Sequence, residues 1–457
     1  MSHVEKLLSS TQCTHSQLQL LPSSHANEAG YHRPSVQERR FACLKPKDLK
    51  DGSRLTRRER KDWSKENVAD MTAFPSPLVL PGDDIAIDVD YPHQSFDAWL
   101  REGDRNEIMS RKNVVYVAAP PDIDNDVSFI SQWDTPRIKR GPSVTTPNVE
   151  DVLNYLKAFY HGLPVKLFPT PLSFTSWESG RTRRGSKTKS KREEPQYIGF
   201  NIGTECVRIR TRASPDETFP RQLNLDDLLD AVISMLPKDA YALLLIVKQD
   251  LYESADDTFV CGRAYGGSRV AVVSTSRYNP ILDGKHNVDR EHSWPASHCK
   301  DYVVKCCIDT SRPKKRTKLS SSENHDIASN DNTSSPLPAA LSAHMSLTPL
   351  DLLPTTTQLA GLWLGRVCRT ASHELGHCFG IDHCMYYACS MQGSASLAED
   401  ARQPPYLCPV DLAKMLRATG TTAKARYLAL LSFCKRHEEI HLFAAFAAWI
   451  ASRLDGV

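Results

Sequence analysis

Residues 373–383 read His-Glu-Leu-Gly-His-Cys-Phe-Gly-Ile-Asp-His, and their types and spacing suit metal-assisted hydrolysis. On a helix of about 3.6 residues per turn, His373 and His377 leave the same face, so both imidazoles come within reach of one ion. Glu374, beside the first of them, sits too close in sequence to serve as a further ligand. It is well placed instead to hold a metal-bound water and take its proton. Gly380 supplies a residue that can enter the left-handed region and end the helix. The chain then turns back, and His383 closes the third side of the site. Three neutral imidazoles leave the fourth tetrahedral position of zinc to water, whose pKa the ion lowers to about 7. An open position of that kind marks a catalytic site, whereas a structural one fills it.

The chain continues Cys384-Met-Tyr-Tyr-Ala-Cys389-Ser-Met391-Gln-Gly393 and, after a gap of sixteen residues from Met391, Cys408-Pro-Val-Asp411. The eleven-residue string is the metzincin signature. With its cysteine-rich continuation the chain resembles the archaemetzincin family, in which such a zinc helix is joined to a second, cysteine-bound zinc. The resemblance implies a zinc metallopeptidase with Glu374 as catalytic base and His373, His377 and His383 on the catalytic zinc. It implies that Met391 is the Met-turn residue, a thioether beneath the three histidines, and that Cys384, Cys389 and Cys408 bind a second, structural zinc. Two positions depart from the family. The loop before Cys408 is one residue shorter, a cheap change, and Asp411 stands where the family has its last cysteine. An aspartate oxygen can ligate zinc, so Asp411 is the expected fourth ligand, with water, another cysteine or no second metal as alternatives. Cys378 follows His377 directly inside the helix, faces elsewhere and reads as a buried thiol.

Thirteen cysteines, an odd number clustered in one metal-like pattern, argue against a disulfide framework. The start Met1-Ser-His-Val-Glu-Lys does not read as a secretory signal, and Leu442–Ile450 is well short of a bilayer span. An intracellular protein, cytoplasmic or nuclear and not secreted, is therefore expected, with no membrane partner. The net charge of +3 is too near neutral to argue by itself for a nucleic-acid partner, and none is expected. The basic runs at Arg181–Arg192 and Pro313–Lys318 lack interleaved aromatic residues or fall in a Ser/Asn/Asp-rich tract, so solvated loops are favoured over nucleic-acid or import patches.

The elements that must position these ligands are legible in outline. Val114–Ala119 reads as a strand, Asn148–Tyr160 as a helix capped by Thr146 or Asn148, and Pro164–Phe168 as a second strand, the start of an α/β unit. Tyr241–Val247 suits a strand buried on both faces. Phe259–Ser274 holds two β-rich halves around Gly266-Gly267, read either as a plain hairpin or as a cleft-side edge to which an extended peptide could add. Leu359, Leu362, Trp363, Val367 and Ala371 give the zinc helix an apolar face to bury. Residues 410–416, 423–433 and 439–454 read as further helices. The fold class is α+β: a metzincin-like zincin fold, with a mixed twisted sheet, an active-site helix and a small helical C-terminal subdomain. Residues 1–90 are expected to be largely disordered. Residues 91–383 form the N-terminal catalytic subdomain, with flexible insertions near 179–194 and 311–335, and residues 384–457 the C-terminal subdomain with the Met-turn, the second zinc site and helices.

His286, His292 and His298 lie near Cys299, Cys306 and Cys307, but without metal-finger spacing, and no metal is assigned to them. His437 and His441 are read as surface and core residues. The substrate expected is a peptide or protein, and oligomeric state is left open. The competing class is a zinc-stabilised binding or regulatory protein without useful turnover, because intact ligands imply metal binding and not substrate access.

Overall fold

The computed structural model of the chain describes residues 13, 15–44, 68–138, 141–177, 195–308, 335–350 and 353–455. The insertion at 179–194, and that at 311–335 except for Ser335, lie outside them. Eleven strands are present among the described residues: β1 (Val114–Ala118), β2 (Asp122–Ile123), β3 (Val165–Leu167), β4 (Leu172–Ser176), β5 (Tyr197–Ile202), β6 (Glu205–Ala213), β7 (Arg221–Asn224), β8 (Ala240–Val247), β9 (Asp250–Tyr252), β10 (Gly262–Tyr265) and β11 (Val270–Ser274). One sheet has the order β10-β11-β8-β1-β3, the other β2-β4-β5-β6-β7-β9. In the first, β11, β8, β1 and β3 run parallel, and β10 turns back antiparallel at the edge. The second is mostly antiparallel.

Every residue of β8 is buried, and so is every residue of β1 and β11, which is why these segments read as continuous apolar runs. Alternation divides them between two cores. Val115, Val117, Leu244, Ile246, Ala271 and Val273 face a core shared with the helices Val149–Phe159, Thr356–Cys378, Ala423–Lys435 and His441–Asp455. Val114, Tyr116, Leu243, Leu245, Val270 and Val272 face the second sheet and the helix Leu225–Ser234. The architecture is mixed α+β.

The expectation for residues 1–90 is corrected in part. Residues 15–44 and 68–90 pack on the catalytic body through short helices and extended stretches. Tyr31 donates its hydroxyl to the carbonyl of Met385 at 2.7 Å and joins Ala26, Val79, Ile85 and Met385 in a buried cluster. Ser76 and Ser23 bind backbone to backbone with Leu20 and Leu78. No apolar period marks this region because its burial comes from partners hundreds of residues away and not from a stripe of its own. The helices Pro336–Met345 and Leu397–Arg402 likewise had no counterpart in the sequence reading.

Candidate active site and metal centres

The helix Thr356–Cys378 carries the candidate ligands. Thr355 caps it reciprocally with Gln358, a capping box. Leu359, Trp363, Val367 and Ala371 are buried along one stripe, and the Trp363 indole donates to the carbonyl of Thr275 at 2.8 Å. Burial of that face leaves the ligand positions rigid. At the far end Gly380 has φ +72°, and the chain reverses as its N–H meets the carbonyl of His377 at 2.9 Å.

The reversal brings His383 to His373 and His377, with one potential ligand atom from each within 4.8 Å of the others. His373 and His377 approach through their Nε2 atoms at 3.1 Å. Their Nδ1 atoms face backbone carbonyls, of Ser390 at 2.8 Å and of Ile381 at 2.7 Å. An Nδ1–H committed to a carbonyl leaves a lone pair on Nε2, the tautomer a metal requires. Burial pushes all three imidazoles down to about 3, helped in each case by a neighbouring histidine, so they are neutral at ordinary pH. The donor set therefore fits zinc. Burial likewise pushes Glu374 up to about 8, with Arg263 pulling against it and Asp400 adding to the rise.

The three histidines open on a cleft of about 1020 Å³ lined on one side by residues 257–264 and on another by Arg369, Asp400 and Gln403. β10 is that wall. A Cβ at Gly262 would come 3.3 Å from Cγ of Glu374, and one at Gly266 would come 2.6 Å from the carbonyl of His377. Glycine at both positions lets the edge strand and the turn after it lie directly on the helix Thr356–Cys378. The hairpin and cleft-edge readings of this segment thus describe one object. Met391 is fully buried, and a Cβ on Gly376 would meet its Sδ at 2.5 Å, which places the thioether against the helix between the two histidines.

Cys384, Cys389, Cys408 and Asp411 are all buried and bring four potential ligand atoms within 4.8 Å of one another. Cys384 and Cys408 sulfurs are 3.6 Å apart, and Asp411 Oδ2 lies 3.3 Å from the Cys389 sulfur and 3.4 Å from that of Cys408. Backbone N–H groups of Cys408 and Met391 point at the Cys389 sulfur. Cys378 is elsewhere, its carbonyl accepting the Tyr241 hydroxyl at 3.1 Å. Because His383 and Cys384 are adjacent, the loop that delivers the third histidine is anchored by this second cluster.

Sequence reasoning missed Lys414 and Gln94. The Lys414 ammonium is buried, 2.9 Å from Asp411 Oδ1 and 2.8 Å from Gln94 Oε1. Gln94 in turn donates to the carbonyl of Gly380 at 2.9 Å and accepts from the Asp382 N–H at 3.2 Å. The bridge therefore runs from the cysteine cluster to the turn before His383. Lys414 stands three residues after Asp411 on a helix, and that spacing was the only available signal. Burial pushes the Asp411 carboxyl up to about 6, Lys414 holding it down and Cys384 adding to the rise. Asp84 was missed as well: its carboxylate and His383 Nδ1 both crowd the α-carbon of Gly393, where a Cβ would be 2.1 Å and 2.8 Å from them.

Of the remaining histidines, His286 stacks edgewise on Phe259, and His298 Nδ1 faces the carbonyl of Gln19 at 3.0 Å. His441 is buried with Nε2 at 3.0 Å from the carbonyl of Thr348, and His437 is half-buried. His292 and Cys299, assigned no metal from the sequence, lie in clusters with Cys13 and His15.

A half-buried imidazole triad with an adjacent carboxylate in an open cleft defines a candidate metal-dependent hydrolase centre. Residues 343–417, which hold both clusters, match Peptidase family M54. The chain is 27% identical to archaemetzincin-2 of Homo sapiens over 278 residues, 61% of this chain and 55% of that protein. It is 28% identical to archaemetzincin-2 of Rattus norvegicus over 340 residues, 74% of this chain and 69% of that one. The aligned part thus spans little more than half of the human relative's length. A crystal structure of archaemetzincin from Methanopyrus kandleri aligns with 69% of this chain and 99% of its own at 17% identity, with a TM-score of 0.31. The chain is homologous to the archaemetzincins at low to moderate identity. No helix among the described residues is long and apolar enough to cross a membrane.

Proposed function

We propose that this chain is a zinc-dependent metallopeptidase with a metzincin-like zincin fold, in which His373, His377 and His383 hold the catalytic metal. The observation that carries the reading is the convergence of three neutral imidazoles, two of them fixed by backbone carbonyls, beside Glu374 in an open cleft. Bound there, zinc would supply the Lewis acidity that polarises a scissile carbonyl and acidifies water. Glu374 takes the proton of the attacking water and passes it to the leaving amine. Met391 is the Met-turn residue that supports the histidines from below. Cys384, Cys389, Cys408 and Asp411 hold a second, structural zinc.

The substrate is a peptide or protein segment bound in extended form along β10. Among the described residues that strand pairs only with β11 in its sheet, which leaves its other edge open to backbone hydrogen bonds beside Glu374. No disulfide joins any of the thirteen cysteines, which suits a reducing, intracellular setting.

The test is Glu374→Gln. Cleavage of a diverse peptide library should fall by at least about 100-fold, the usual contribution of a general base, while zinc content stays at the wild-type level. His373→Ala should instead lower the zinc content, because it removes a ligand. Loss of zinc in the glutamine variant, or retained turnover, refutes the role given to Glu374. Bound zinc without cleavage of any peptide in the wild type would favour the binding-protein alternative.

A further inference from the structure

We infer that Cys13, His15, His292 and Cys299 form a third metal-binding site, of the kind that takes zinc, and that it staples the N-terminal segment to the loop at 289–303. Potential ligand atoms of Cys13, His15 and Cys299 lie within 4.8 Å of one another, and so do those of His15, Glu291 and His292, with His15 common to both groups. The two cysteines are separated by 286 positions, yet their sulfurs are 2.8 Å apart. That is inside van der Waals contact and longer than a disulfide bond of about 2.05 Å.

The histidines are built as ligands. His292 is buried, its ring is stacked on Tyr302 with centroids 4.1 Å apart, and its Nδ1 faces Asp289 Oδ2 at 2.8 Å. Its Nε2 is buried with no hydrogen-bond partner. A carboxylate on one nitrogen and a bare lone pair on the other is the arrangement that metal-bound histidines use, the carboxylate fixing tautomer and ring orientation. His15 is 5% exposed, Glu291 approaches its Nε2 at the ion-pair distance of 3.5 Å, and neither nitrogen makes a hydrogen bond of good geometry. Two buried imidazoles with unmet polar atoms side by side are costly unless something unites them. Their centroids are 5.3 Å apart with a 39° interplanar angle, the same separation and angle as for His373 and His383 in the candidate catalytic triad.

Backbone evidence points the same way. His15 holds φ +50°, in the left-handed region that a residue with a Cβ seldom adopts. The chain after it runs against the opposing loop, with Gln19 N–H to His298 carbonyl at 2.7 Å and Lys300 N–H to Gln17 carbonyl at 2.9 Å. Two thiolates and two imidazoles are the donor set of tetrahedral structural zinc. His292 takes the fourth place over Glu291, whose side chain is 32% exposed and lies 3.5 Å from His15 Nε2. The stapled loop reaches the cleft: Trp294 N–H binds the Ala401 carbonyl, and Ser297 Oγ donates to that of Arg402, next to the cleft residue Asp400.

The test is metal analysis of the full-length protein, purified with reductant and without chelator, comparing wild type with Cys13→Ser/Cys299→Ser, His292→Gln and Glu291→Gln. The cysteine pair variant and H292Q should each lose one equivalent of zinc, and E291Q none. His373→Ala should lose a separate equivalent, so failure of this site is distinguishable from failure of the candidate catalytic one. Reconstitution with cobalt should show thiolate-to-metal charge transfer that weakens in both the cysteine variant and H292Q and is unchanged in E291Q. If the double variant does not fold, H292Q carries the decision. An unchanged zinc content in H292Q overturns the site, as does a Cys13–Cys299 disulfide found by peptide mapping of the reduced preparation. Loss of zinc in E291Q with none in H292Q overturns the ligand assignment.

Discussion

Lys414→Met removes a buried ammonium while keeping its apolar stem, and its effect follows from what surrounds the group. Lys414 Nζ is 2.9 Å from Asp411 Oδ1, and at an effective dielectric of about 20 two unit charges at that distance attract by roughly 6 kcal/mol. Part of this is offset by the desolvation of both ions, so that breaking a buried pair costs about 3–5 kcal/mol net. Three thiolates, a carboxylate and one divalent ion would leave a net negative cluster, and Lys414 is the buried cation that reduces it. If the loss is expressed in metal binding, the second zinc should be released at a chelator activity about 100- to 4000-fold lower than in wild type, at about 1.4 kcal/mol per factor of ten. The sign with pH is also fixed. Burial already places Asp411 at about 6, and Lys414 is the group holding it down. Without the lysine the carboxyl titrates higher, so protons compete with metal at neutral pH and the defect should shrink as pH is raised. Chelator titration followed by metal analysis at two pH values reads both effects. If every zinc ion leaves K414M at its wild-type midpoint, the cysteine cluster does not bind metal with Asp411 as ligand, and the assignment fails.

Asp411→Cys should tighten the second zinc and raise chelator resistance, since thiolate suits the ion better than carboxylate does; an identical zinc content and chelator midpoint in wild type, D411C and D411A would show that the cluster is a remnant. Gly266→Ala sets a methyl against the His377 carbonyl, 2.6 Å away, and should cost about 1–3 kcal/mol in denaturant unfolding and raise KM for peptides; unchanged stability would mean that β10 does not bear on the ligand helix. Ile85→Ala, at a position 1% exposed beside Val79 and Met385, should cost about 2–5 kcal/mol; a silent substitution there would restore the view that the N-terminal region is unpacked. His344 is pushed down to about 3 by burial, so its folded pKa lies below the unfolded value. The stability it contributes is fully present above about pH 6.5 and is lost as pH falls toward 3; His344→Gln should flatten that acid limb in a pH series of unfolding midpoints.

The sequence by itself determined the parts whose signal is local. A ligand helix shows in the spacing of His373 and His377 on one face and in the apolar stripe from Leu359 to Ala371, because helical period converts directly into a buried and an open side. β8 shows as an unbroken apolar run because a strand covered on both faces has no polar side to display. Gly380 marks the turn because few other residues accept a positive φ there. Tertiary structure alone decided the rest. Lys414 and Gln94 lie more than three hundred positions apart, and nothing in the local sequence of either announces a buried ammonium shared between a cysteine cluster and the turn before His383. Tyr31 and Met385 are just as distant, which is why the N-terminal region looked featureless while being packed. Cys13 and His15 pass as stray residues until the fold sets them against His292 and Cys299. Periodicity reports which face of an element is buried, but not what covers it, and a site assembled from separate segments exists only where the folded chain brings them together.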